Sequence, residues 1–140
     1  MAASNRGFSM IELLIAVAIV AMLAGVAYPA YTEYSKKARR SEIAALLVEE
    51  AQKLERFYSR AAQYSDATGP PAHTHEVATG NGFYSIEAER TEETFVLVAT
   101  PSPGALMAGD RCGRFMLQNT GRRDNLGMSG DASVQQCWGR

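Results

Sequence analysis

The chain has 140 residues, 46% of them hydrophobic and 21% charged, with a formal net charge of −1 at pH 7. That length fits one small domain with at most an appendage, and so balanced a charge gives no bulk argument for a nucleic-acid partner. The charges are unevenly placed: residues 1–30 carry only Arg6 and Glu12, which excludes both a plain soluble domain and a disordered chain.

From Leu13 to Ala30 the chain reads LLIAVAIVAMLAGVAYPA, without a charge. With Phe8–Ile11 ahead of it, the run is long enough to cross a hydrocarbon core of about 30 Å as a helix. Gly25 and Pro29 weaken that helix, and Pro29 predicts a break, kinked or melted, near Val26–Pro29. Three readings compete. A cleaved secretory signal fits poorly, because the run is long and Arg6 is the one basic side chain ahead of it. A simple membrane anchor leaves Glu12 unexplained, since a carboxylate inside a span costs about 2.5–3.5 kcal/mol. The third reading gives Glu12 a partner outside its own segment.

Gly7-Phe8-Ser9-Met10-Ile11-Glu12, followed by that apolar run, resembles the signature of type IV prepilins. The resemblance implies cleavage between Gly7 and Phe8 by a prepilin peptidase, with N-methylation of Phe8. Ser9-Met10 replaces the commoner Thr-Leu, and Ala21 stands where the family often has glycine. Pro29 matches the family's helix-breaking proline. Cleavage would create a cationic amine on Phe8, and Glu12 would pair with that amine or a neighbouring subunit's. Buried ion pairs of this kind fix register more than they add stability. The implied partners are other pilin subunits, the peptidase, the inner-membrane assembly machinery and, before assembly, the membrane itself. The precursor would be a single-pass inner-membrane protein with a periplasmic carboxyl-terminal domain, and the product an extracellular pilus. Lys36, Lys37, Arg39 and Arg40 after the span oppose this topology on the positive-inside count.

Beyond Pro29 the pattern turns amphipathic. Ile43, Leu47, Ala51, Leu54, Phe57 or Tyr58, and Ala61 recur on one helix face, and Glu33–Lys37 and Glu49–Lys53 are spaced to pair on the polar side. Residues 63–81 read as a surface loop. Its His73-Thr74-His75-Glu76 lacks further ligands at metal-binding spacing, so no metal site is expected. Residues 82–90, 93–100 and 112–120 read as strands, with a turn at Asn119-Thr120-Gly121 and a short fourth strand beyond. The expected fold is α+β: a long amino-terminal helix, membrane-spanning in its first half and amphipathic in its second, packed on a small antiparallel sheet. The parts are a leader (1–7), an apolar assembly helix (8–30), an amphipathic half (31–62) and a sheet domain (63–140).

Cys112 and Cys137 lie in neither a CxxC nor a zinc spacing. They are either two free buried thiols or a disulfide closing a loop of about 26 residues, worth about 3–4 kcal/mol on the chain-entropy model. Asp110-Arg111-Cys112-Gly113 and Cys137-Trp138 resemble the type IVa, minor-pilin-like branch, which implies the disulfide and hence an oxidising compartment.

No nucleophile–base pair, carboxylate pair or phosphate loop stands out, so neither an enzyme nor a cofactor is expected. The short domain and terminal Cys-Trp favour a minor, priming or decorating pilin over a main subunit. A type II secretion pseudopilin shares the amino-terminal motif, but the cysteine pattern and the lack of an acidic calcium cluster argue against it. A membrane-anchored domain that never polymerises is a further alternative. So is a pilin that captures DNA for transformation: Arg122-Arg123 flank a turn and could reach phosphates, although a solvated loop exterior accounts for them as well.

Overall fold

The structure is a computed structural model that describes residues 8–66 and 73–139. The chain forms two compact units, Met1–Ser35 and Lys36–Arg140. The first helix, α1, runs from Met10 to Ala61. It opens with the Leu13 N–H donating to the Ser9 carbonyl at 3.2 Å, and Glu12 lies in its first turn, where a negative charge suits the helix dipole. In the first unit the apolar window has a mean hydropathy of 2.6, and none of it is buried.

At Pro29, where a kink or local melting is expected, α1 is helical on both sides of the proline. A proline removes one donor, so one carbonyl, that of Gly25, loses its helical partner, while the bonds on both sides persist. The helix ends where Ala62 turns left-handed at φ +56°, with its N–H still donating to the Tyr58 carbonyl at 2.8 Å.

In the second unit a five-stranded antiparallel sheet follows, in the simple order β1-β2-β3-β4-β5. The strands are β1 Gly80–Asn81, β2 Tyr84–Arg90, β3 Phe95–Pro101, β4 Arg114–Gln118 and β5 Arg123–Leu126. Alternation decides which face is covered. Tyr84 and Ile86 on β2, Phe95, Leu97 and Ala99 on β3, and Phe115 and Leu117 on β4 are all buried. They pack with Ile43, Leu47 and Leu54 of α1 in one core. The helical spacing therefore predicts the inner face correctly, and at the ambiguous position Phe57 is buried while Tyr58 stays exposed.

Between β2 and β3 the chain turns at Thr91–Thr94, where the Thr91 N–H donates to the Thr94 carbonyl at 2.9 Å. The fourth strand expected beyond the turn is β5. Strand β1 lies in the stretch read as loop. It has no hydrophobic alternation to announce it; Asn81 Oδ1 instead accepts the Phe83 and Tyr84 N–H groups, both at 2.9 Å, and turns the chain back. Gly113, at φ +60°, has no room for a side chain, because a Cβ there would run into the Leu126 carbonyl. A short helix, α2 Val134–Cys137, is capped by Ser133, whose Oγ accepts the Gln136 N–H.

Candidate functional site

Three groups of residues have chemistry to offer, and each is best built from its own element. At the amino end, Gly7 lies outside the described residues. Phe8 is 77% exposed, and among the described residues Glu12 has no hydrogen-bond or ion-pair partner. The helix thus presents an unneutralised carboxylate on an apolar rod.

The second group is the carboxyl-terminal loop. Cys112 and Cys137 are bonded, with their Cα atoms 5.7 Å apart, and neither is a free thiol. The bond is tied to the sheet by Asn125, which is buried on β5. Its Nδ2 donates to the Cys112 carbonyl at 2.9 Å, and its Oδ1 accepts the Trp138 Nε1–H at 3.0 Å. Trp138 in turn meets Phe115 edge-on, with ring centroids 5.3 Å apart. The terminal Cys-Trp is therefore a latch on the core.

Arg122 and Arg123 make different contacts. Arg123 begins β5, whereas Arg122 ends the turn before it. Arg123 sits opposite the inward Leu117 and stacks over the Trp138 ring at 5.2 Å. Its guanidinium borders a cavity of about 430 Å³ beside Ala45, Val48, Gln52 and Trp138. Arg122 is on the outer side, 68% exposed, with a loose contact to Asp124 at 3.4 Å. Arg114 on β4 is exposed on that same outer side. Acidic side chains on this face belong mostly to β2, where Glu87 and Glu89 are exposed two strands away.

The third group was not foreseen. Arg40 and Asp110 form a buried bidentate pair, Nε to Oδ1 at 2.9 Å and a terminal nitrogen to Oδ2 at 2.6 Å. Burial pushes the Asp110 carboxyl up. The Arg40 hydrogen bonds, the Cys112 N–H and the charges of Arg40 and Lys36 outweigh that and hold it below the ordinary range. One signal was available: Arg40 lies three residues before Ile43 and seven before Leu47, on the core stripe of α1. The other end, Asp110, has no such pattern. Glu50 is also buried, held by Lys53 Nζ at 2.7 Å and the Ala78 N–H at 3.2 Å. His75 Nε2 lies 3.9 Å from it. The pair expected between Glu49 and Lys53 forms at 2.8 Å.

The family described as the type IV minor pilin ComP, DNA uptake sequence receptor, matches residues 29–116. The chain belongs to this family. It is a minor type IV pilin. The prokaryotic N-terminal methylation motif matches residues 3–28, covering Gly7–Glu12 and most of the apolar run. The high-resolution structure of a type IV pilin from Shewanella oneidensis is similar, at 29% identity with a TM-score of 0.51, covering 70% of this chain and 98% of that one. No curated protein matches the chain. Family and fold are those of structural pilins rather than enzymes. An apolar amino-terminal helix behind a prepilin motif fits a pilin precursor of the inner membrane.

Proposed function

We propose that this pilin is cut between Gly7 and Phe8, methylated on Phe8, and assembled through Glu12 into a pilus on which it captures DNA. The precursor spans the inner membrane with residues 8–30 and keeps its sheet domain in the periplasm. A free amine on Phe8 would give the unpartnered Glu12 the charge it lacks, so processing and register become one event. The basic residues that oppose this topology have a reason of their own to be there. Arg40 holds Asp110 inside the fold, and Arg39 pairs with Glu42 at 2.7 Å and stacks over Phe83 at 4.2 Å.

DNA capture rests on one observation, the exposed outer face of the β4–β5 hairpin, where Arg114 and Arg122 stand clear of the core. It is supported by the name of the family, whose members are described as DNA uptake sequence receptors. Arg122 is the better phosphate contact of the two arginines singled out by sequence, because Arg123 is engaged with Trp138. The test is fluorescence anisotropy of duplex DNA with the full chain in detergent micelles. Binding is expected to weaken with salt, and the pair Arg114→Ala and Arg122→Ala should reduce the slope of log K against log salt by about 2. An unchanged slope, or no binding at low salt, overturns capture by this face.

A further inference from the structure

Tyr28, Tyr31 and Tyr34 recur at three-residue spacing where the apolar run ends. They are 76%, 71% and 75% exposed. Each phenol pairs a large apolar ring with one hydroxyl that needs water or a polar partner. Such a side chain is poorly placed in bulk water and poorly placed in hydrocarbon. It is well placed at the boundary between them, where tyrosine and tryptophan gather in membrane proteins.

The spacing along α1 puts them at that boundary. Met10 to Tyr28 is eighteen steps of 1.5 Å, about 27 Å, close to the thickness of a hydrocarbon core. Tyr31 and Tyr34 lie about 4.5 and 9 Å further on, through the headgroup layer of roughly 5–7 Å. At 3.6 residues per turn the three rings spread over about 120° of the helix circumference, so they face one side together. The polar Thr32 among them adds no unmet donor, since its Oγ1 donates to the Tyr28 carbonyl at 3.0 Å. Lys36 and Lys37 come next in sequence, with flexible stems and ammonium groups suited to lipid phosphates.

We propose that Tyr28, Tyr31 and Tyr34 form an interfacial clamp that fixes the depth of the unassembled chain, their hydroxyls among the headgroups of the leaflet on the domain side. This rests on the reading that residues 8–30 span a membrane. The clamp sets how far Glu12 is immersed: with Tyr28 at one boundary, Glu12 lies about 3 Å along the axis from Met10, near the other. A carboxylate at that depth can reach water, which removes most of its insertion cost until a subunit amine replaces the water.

The experiment uses the full chain in vesicles of phosphatidylethanolamine and phosphatidylglycerol. Nitroxide labels are placed on Ala18→Cys, Ala30→Cys or Ser35→Cys, and depth is read from collisions with oxygen and with a nickel chelate. The bonded Cys112 and Cys137 do not take the label. Expected is a deep label at 18, a boundary label at 30 and a wet label at 35. The triple change Tyr28→Ser, Tyr31→Ser and Tyr34→Ser should move or broaden the depth at 30 by more than about 3 Å, two residues' rise, while tryptophan at the same three positions should hold it. An unmoved label at 30 in the serine variant overturns the clamp and leaves the rings to subunit packing. A wet label at 18 overturns the spanning reading itself, and the clamp with it.

Discussion

Asp110 and Arg40 are separated by seventy residues and joined by two hydrogen bonds in a place that excludes water. Breaking one half leaves a charge with no solvent to screen it, so the cost exceeds what the pair adds over an apolar substitute. Arg40→Ala is therefore expected to destabilise the fold by about 3–5 kcal/mol at neutral pH. Acid has a related effect. The folded Asp110 carboxyl titrates below its unfolded value of about 3.9. Its contribution is complete above that value and is lost as pH falls through the folded one. Urea unfolding of the full chain in detergent should show the Arg40→Ala penalty at pH 7 and a smaller one near pH 3. Equal penalties at both pH values would sink the argument.

At the scale of elements, the carboxyl-terminal loop has little core of its own. Residues 127–136 contribute no fully buried side chain, and what holds them is the Cys112–Cys137 bond together with the Asn125–Trp138 hydrogen bond. Without the bond the loop regains its chain entropy when unfolded and loses the close positioning of Trp138. The double change Cys112→Ser and Cys137→Ser is expected to cost about 2–5 kcal/mol. Thermal unfolding followed by Trp138 fluorescence measures it, because this is the sole tryptophan. The indole should become solvent-exposed before the sheet unfolds. Loss of loop and sheet in a single transition at the wild-type midpoint would show that the bond holds nothing.

For the whole molecule, the proposed assembly turns on one carboxylate, that of Glu12. Glu12 has no partner among the described residues of an isolated chain, and in the proposed function its partner is the amine that processing creates or one on another subunit. Glu12→Ala should leave the amount of membrane-bound precursor and its cleavage unchanged while reducing its share in sheared filaments at least tenfold. Quantitative mass spectrometry of both fractions checks this and reads the N-methyl-Phe8 terminus directly. Undiminished incorporation would remove the role assigned to Glu12.

Local chemistry and periodicity were enough for the parts of this pilin that act within a few residues. The apolar run with its acid, the inner face of α1 at Ile43, Leu47 and Leu54, and the alternating β2 and β3 could all be read in order along the chain. Repeats of 3.6 and 2 residues are written locally, and the sheet pairs each strand with its neighbour in sequence. At Pro29 one donor is missing, and the helical turns on both sides of it persist. Only the tertiary structure decided what long-range packing controls. It set Arg40 on Asp110, Asn125 between Cys112 and Trp138, and Arg123 on an indole while Arg122 faced outward. Those choices depend on which atoms meet across the core, and a residue's own neighbourhood in sequence carries no record of a partner seventy positions away.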